Sequence, residues 1–153
     1  MLSRAVRNRN PGNLRPRSSR PQWPAQTGID DAQPAPPFAR FSTNADGFCA
    51  LGLWLLMAHN VWGLTTTTKK IGVFAPPGVD GNNTSAYAAG VAAKVGENAD
   101  PNDPKARRAL ALAIAKWESP QSWLTAEINA GMKLSTDLWP DFLAAMPKKL
   151  GRR

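Results

Sequence analysis

The sequence contains few residues that bind metals or act as nucleophiles, with one cysteine, Cys49, and one histidine, His59, among 153 residues. A single cysteine excludes an internal disulfide. One cysteine with one histidine also falls short of the three or four ligands of a conventional zinc site. We therefore predict no metal and no cofactor. A Ser-His-Asp or Cys-His enzyme would depend entirely on His59, which leaves carboxylates as the plausible acid–base groups.

Long hydrophobic runs are also missing. The most apolar segment, from Gly47 to Ala58, has 12 residues, whereas a membrane-spanning helix needs about 20. The first residues, Met-Leu-Ser-Arg-Ala-Val, carry a charge and lack the apolar core of a signal peptide. The sequence therefore predicts no transmembrane segment and no signal peptide.

Positive charge is concentrated towards the two ends of the chain, whose net charge is +8. Residues 1–20 contain six arginines and no acidic residue, and residues 146–153 contain four more cationic residues. We predict basic tails at residues 1–9 and 146–153. Such tails suit any polyanion, including nucleic acid, phospholipid headgroups and an anionic cell-wall polymer, and they also favour solubility.

Helical periodicity dominates the chain from residue 46 onward. Residues 10–40 hold seven of the 14 prolines and show no apolar periodicity, so a long loop is predicted there. Apolar residues then recur at helical spacing, and no alternating strand pattern accompanies them. The predicted helices run from Asp46 to Gly63, over Thr66–Val73, from Asn83 or Thr84 to Gly96, from Asp103 to Glu118, over Ser122–Ala130, and over Leu138–Lys149. The chain is therefore predicted to be a single all-α domain.

A series of short polar and aromatic motifs follows the order seen in one family of phage proteins. The chain contains Asn10-Pro11-Gly12-Asn13-Leu14-Arg15, then Trp23, Gln26-Thr27-Gly28, Phe38-Ala39-Arg40-Phe41, Ala75-Pro76-Pro77 and Asn83-Thr84-Ser85-Ala86-Tyr87. The series resembles phage and prophage virion proteins that carry Asn-Pro-Gly-Asn-Ile-Arg, Trp with Gln-x-Gly, Phe-x-x-Phe, Trp-Ala-Pro-Pro and Asn-x-Thr-x-x-Tyr. Members are similar to the lysozyme-like lysin inside cystovirus particles.

This resemblance implies one lysozyme-like domain over residues 1–153 and a structural or muralytic role in a virion. The chain departs from the family pattern at three positions. Phe74 stands where the family tends to have Trp, and Cys49 stands where it tends to have Arg. The acidic residue that the family carries just before the Asn-x-Thr-x-x-Tyr motif is displaced in this chain to Asp80.

A carboxylate ends the predicted helix 103–118 beside two tryptophans. The segment Ala113-Ile114-Ala115-Lys116-Trp117-Glu118-Ser119 places Glu118 near Trp117 and Trp123. Poorly hydrated surroundings and a helix C-terminus both favour a protonated carboxyl there. The segment resembles the helix-ending Glu-Ser of lysozyme-like lytic transglycosylases, which implies that Glu118 is the catalytic acid and base. From the residues alone, the alternative is a solvated glutamate at a helix end.

Other candidate site residues complete the hypothesis. A transglycosylase needs one catalytic carboxylate, whereas a hydrolase normally needs two, and the candidates for a second are Asp30, Asp46 and Asp80. The candidate substrate-binding residues are Asn10, Asn13, Arg15, Trp23, Asn83 and Tyr87. Among the tryptophans, Trp23 lies in a polar loop and is the better stacking platform, whereas Trp54 and Trp117 lie on helix stripes and are expected to pack in the core.

Three functions follow from these observations. The first is a phage virion-associated protein that degrades peptidoglycan during cell entry, as a muramidase or a lytic transglycosylase acting on glycan strands. The alternative is a non-enzymatic virion component whose degenerate lysozyme-like fold binds cell-wall glycan or docks to other virion proteins. The third is a nucleic-acid-binding protein acting through its basic tails, although the near-neutral body argues against it. The expected location is the virion, or the host cytoplasm before assembly.

Overall fold

The chain is mainly helical. The computed structural model describes residues 2–17, 19–32, 36–78 and 83–147. Over these residues it contains six helices and one two-stranded sheet, so the all-α prediction needs this correction. The elements in chain order are α1 (Arg4–Arg7), β1 (Gln26–Asp30), β2 (Phe38–Phe41), α2 (Asn44–Asn60), α3 (Thr67–Phe74), α4 (Thr84–Val95), α5 (Pro104–Glu118) and α6 (Thr125–Ala144). No helix among the described residues is long and apolar enough to cross a membrane.

Side-chain caps set the starts of the central helices. Asn83 caps α4 and Asp103 caps α5, whose first helical residue is Pro104, as the sequence predicts. The cap of α2 is Thr43 rather than the predicted Asp46. The Thr43 hydroxyl accepts a hydrogen bond from the Asp46 backbone N–H at 3.1 Å and donates one to its carboxylate at 2.8 Å. Asp46 therefore completes a capping pair three residues inside the helix.

The last helix corrects another prediction. Residues 122–130 and 138–149 were expected to form two separate helices, the second around Pro140, but α6 is one continuous helix that contains this proline. Proline removes one hydrogen bond from a helix, yet the buried face of α6 continues past it from Ile128 and Met132 to Phe142. Packing along this face stabilises the helix on both sides of Pro140.

The N-terminal forty residues are more ordered than predicted. Within the expected loop, β1 and β2 pair as an antiparallel hairpin. The predicted tail at residues 1–9 contains α1, whose Ala5 is fully buried. The Ser3 hydroxyl lies 3.0 Å from the hydroxyl of Ser119, directly after α5. The basic N-terminus is thus a packed part of the domain, while residues 148–153 of the predicted C-terminal tail lie outside the described residues.

Helix α2 forms the centre of the core, with every residue from Gly47 to Ala58 buried. Helix α6 crosses it closely because two small residues leave room. A Cβ atom at Gly52 would lie 2.6 Å from the Ser135 Oγ, and one at Gly131 would lie 2.7 Å from the Ala45 carbonyl oxygen. The backbones of these two helices therefore pack against each other directly.

A pair of glycine substitutions tests this crossing. We expect Gly131→Ala to lower the free energy of unfolding by about 1–3 kcal/mol, because the added methyl group meets backbone that cannot move alone. Gly72→Ala, in α3, is the matched control, since a Cβ there has nothing within 4 Å. It should raise stability by about 0.5–1 kcal/mol through helix propensity. Urea unfolding followed by circular dichroism measures both, and equal effects of the two variants would contradict the proposed crossing.

Candidate active site

Glu118 ends α5 as a half-buried carboxylate that accepts two hydrogen bonds from distant parts of the chain. The Asn13 side-chain amide donates to its Oε1 at 3.0 Å across 105 positions of sequence. The Tyr87 hydroxyl donates to its Oε2 at 2.7 Å. Asn13 from the N-terminal bend and Tyr87 from α4 therefore both contact the carboxylate of Glu118. All three were predicted as site residues.

The Asn-Pro-Gly-Asn segment forms the bend that presents Asn13. Asn10 is fully buried, and its Nδ2 donates to the carbonyl oxygens of Leu14 and Ala39, both at 2.9 Å. Its Oδ1 accepts the Leu14 backbone N–H at 2.8 Å. Asn13 takes a left-handed backbone conformation with φ of 47°, which asparagine tolerates better than most residues. Asn10 therefore holds the bend in shape, and its polar atoms are occupied within the protein.

The bend is seated on the first turns of α2. A Cβ atom at Gly47 would collide with the Arg9 carbonyl oxygen and would lie 2.7 Å from the Pro11 Cδ. One at Gly12 would lie 2.9 Å from the Leu51 Cδ1. These two glycines let the loop backbone approach the central helix, and this approach fixes the position of Asn13.

Aromatic side chains form the wall of the site. The Tyr87 ring is fully buried and stacks on Trp117 with a centroid distance of 4.9 Å and an interplanar angle of 21°. Phe74 approaches the same tyrosine edge-on at 6.4 Å. Phe74 therefore supplies an aromatic ring behind the site.

Trp117 is 46% exposed, contrary to the prediction that it packs in the core. Tyr87 covers one face of the indole, so the exposed area belongs to the other face and the rim. Gly90 accommodates the edge of the ring, because a Cβ there would lie 2.6 Å from the Trp117 Cζ3. The helical stripe of Leu110 and Ile114 predicted burial, and the sequence of α5 carries no local signal of this exposure.

The electrostatics of the site favour a neutral tyrosine beside a charged carboxylate. Burial, followed by the neighbouring Glu118 charge and its hydrogen bond, raises the pKa of Tyr87 well above its ordinary value. The phenol therefore keeps its proton and remains a donor.

Three predicted substrate-binding residues have other roles in the structure. Trp23 is 4% exposed, stacks on Phe142 at 5.7 Å and donates its indole N–H to the Arg15 carbonyl oxygen. It packs in the core and offers no open ring face. Asn83 caps α4, and Asn10 shapes the bend. Arg15 is exposed and follows the bend directly.

The candidates for a second carboxylate are committed elsewhere or lie outside the described residues. Asp30 is buried, and its carboxylate lies 3.1 Å from an Arg4 nitrogen and 2.9 Å from the Asn8 amide nitrogen, contacts that hold its pKa far below the usual range. Asp46 takes part in the cap of α2. Asp80 lies outside the described residues.

The single histidine and cysteine form no site with each other. The His59 Nε2 lies 3.4 Å from the Asp100 carboxylate, and burial lowers the pKa of the imidazole. Cys49 is buried, which raises the pKa of its thiol to about 12. Among the described residues no group of histidine, cysteine and acidic side chains is arranged to hold a metal ion.

A scan against protein-family models finds no match for this chain, and a search of curated proteins finds none either. The family resemblance therefore depends on the motifs themselves.

The environment of Tyr87 can be titrated directly, because it is the only tyrosine in the chain. We expect its ultraviolet ionisation midpoint in the folded protein to lie above the ordinary value of about 10. Glu118→Gln should lower this midpoint without restoring the ordinary value, because the charge is removed and burial remains. Since the unfolded chain ionises its tyrosine near the ordinary value, stability should fall as pH rises above it. A midpoint near 10 while the far-ultraviolet spectrum is still native would contradict this description.

Proposed function

We propose that this protein is a phage virion-associated enzyme that cleaves the glycan strands of peptidoglycan, with Glu118 as the catalytic acid and base. The observation that carries the proposal is the meeting of Glu118 with Asn13 of the bend and Tyr87 of α4. Asn13 and Tyr87 belong to two motifs of the phage virion series, and Glu118 belongs to the segment that resembles the Glu-Ser of lytic transglycosylases. A glutamate at a helix end that only faced solvent would have no reason to be held by two donors from distant segments.

Of the three candidates for a second carboxylate, the two that the structure describes have other roles, which favours lytic transglycosylase chemistry over two-carboxylate hydrolysis. Asp30 forms an ion pair and Asp46 takes part in the cap of α2, and Asp80 lies outside the described residues. In the one-carboxylate route, Glu118 protonates the glycosidic oxygen as the bond to the muramyl anomeric carbon breaks. It then removes the proton of the muramyl 6-hydroxyl as that oxygen attacks the same carbon. Glu118 ends the reaction protonated again, and the product carries a 1,6-anhydro ring.

The surroundings of Glu118 suit both halves of this cycle. Asn13 and Tyr87 stabilise its charged form, which is the form that acts as the base. A sugar seated on the exposed face of Trp117 excludes water from the carboxyl and favours the protonated form, which acts as the acid.

The central test is Glu118→Gln on purified peptidoglycan. We expect release of soluble muropeptides to fall by at least about 100-fold, the usual scale for loss of general acid–base catalysis. Glu127→Gln is the matched control and should retain activity. Glu127 accepts a hydrogen bond from Asn44, which glutamine can still accept. Mass spectrometry of the wild-type products should show 1,6-anhydro ends, lighter by one water than hydrolysed ends. Undiminished release by Glu118→Gln would refute the role of Glu118.

The non-enzymatic alternative makes a different prediction in the same experiment. A virion component that only binds glycan would retain peptidoglycan in a pull-down while releasing no product from either the wild type or Glu118→Gln. Its partners would be glycan strands and other virion proteins, and the aromatic surface of Trp117 would serve attachment alone.

The contribution of Trp117 can be measured separately from catalysis. We expect Trp117→Ala to weaken binding of chitin oligomers about tenfold, because the stacking surface is lost. Trp117→Phe, which keeps a smaller ring, should lose less. Gly90→Ala should also weaken binding, because the added methyl group displaces the indole without removing it. Each of the three substitutions is combined with Glu118→Gln, which prevents cleavage, and chitin oligomers are titrated into the protein by calorimetry. Unchanged affinities would show that sugars bind elsewhere.

A further inference from the structure

The arginines near the N-terminus converge on one folded surface instead of forming a tail. Three of them, Arg4, Arg7 and Arg40, are linked to the side chain of Asp30 either directly or through Asn8, and we call this surface the arginine face. The Arg4 guanidinium carbon lies 4.5 Å from the centre of the Phe38 ring and that of Arg15 lies 6.0 Å from it. Two arginines from different segments therefore share one aromatic support.

A hydrogen-bonded network connects the remaining arginines to the same place. The Arg40 Nε donates to the Asn8 Oδ1 at 3.3 Å, and the Asn8 Nδ2 donates to the Asp30 carboxylate at 2.9 Å. The same carboxylate lies 3.1 Å from an Arg4 nitrogen and 3.7 Å from an Arg7 nitrogen. These contacts hold the guanidinium groups in a fixed arrangement, so little side-chain entropy remains to be lost on binding.

The arginine face carries an excess of positive charge that its own acids do not balance. Asp30 has a side chain only 4% exposed and so presents little negative charge to solvent. Counting the exposed Asp31 next to it as well, three arginines accompany two acids. Arg7 and Arg40 are exposed.

We propose that the arginine face binds the phosphodiester backbone of duplex nucleic acid, independently of base sequence and of Glu118. The planar guanidinium fork matches two phosphate oxygens, whereas a lysine offers only a point charge. A stiff duplex presents phosphates at regular spacing, which suits cations held in fixed positions. Phe38 is buried beneath the arginines, so the face has no open ring for stacking on a base, and backbone contacts carry the binding.

The test compares two doubly substituted full-length proteins in fluorescence anisotropy with a labelled random-sequence DNA duplex. Arg7→Gln with Arg40→Gln removes two charges from the arginine face. Lys105→Gln with Arg108→Gln removes two charges from α5 and is the matched control. We expect the first pair to weaken binding about tenfold at low salt and to reduce the slope of log affinity against log salt by about two, since each phosphate contact contributes about 0.9. The control pair should leave both quantities nearly unchanged.

A double substitution that keeps the charge distinguishes two-point hydrogen bonding to phosphate from electrostatic attraction alone. Arg7→Lys with Arg40→Lys should keep the salt slope and still lose part of the affinity, because lysine cannot bind phosphate through a fork. Circular dichroism and thermal melting establish that each variant is folded before its affinity is compared. Equal weakening by the arginine-face pair and the α5 pair, or no weakening by either, would overturn the proposal. The peptidoglycan assay with Glu118→Gln is independent, so either proposal can fail without the other.

Discussion

The site depends on the close approach of the N-terminal bend to helix α2. Gly47 has no side chain, so the Arg9 carbonyl group and the Pro11 ring lie directly against the helix. Asn10 then fixes the shape of the bend through three hydrogen bonds made by one buried amide. Because Asn13 has no freedom once these contacts form, its amide reaches Glu118 from a segment at the opposite end of the sequence.

A buried phenol complements that bend from the other side. Tyr87 is fully buried in contact with Trp117 and Phe74, and its hydroxyl donates a hydrogen bond to the carboxylate of Glu118. A donor that stays neutral and stationary restricts the carboxylate to one orientation without adding charge. The bend and the aromatic wall therefore hold the Glu118 carboxylate from two sides, and we call this arrangement the clamp. Movement of the carboxylate would leave both Asn13 and Tyr87 without this hydrogen-bond partner.

The parts of this structure that local chemistry determines could be predicted from the sequence. Asn83 and Asp103-Pro104 mark helix starts by their own side chains, and the meeting of Asn13, Tyr87 and Glu118 agrees with the motifs that singled them out. What could not be predicted depends on distant packing. The burial of Trp23 is due to Phe142 in α6, and the continuity of α6 past Pro140 is due to its buried face. The sequence of α5 does not indicate that Trp117 is exposed. The hairpin escaped prediction because the one buried side chain of β1 is that of Asp30, a polar residue.

The contact between Ser3 and Ser119 has a consequence for how the molecule is assembled. The residues that flank the bend and those that follow α5 are separated by most of the chain, and loop closure over such a distance is slow compared with helix formation. On a ribosome, the N-terminal arginines and the bend leave the exit tunnel long before their partners exist. A nascent chain that ends between Phe74 and Trp117 therefore contains α2 and α3 but cannot form the clamp around the glutamate.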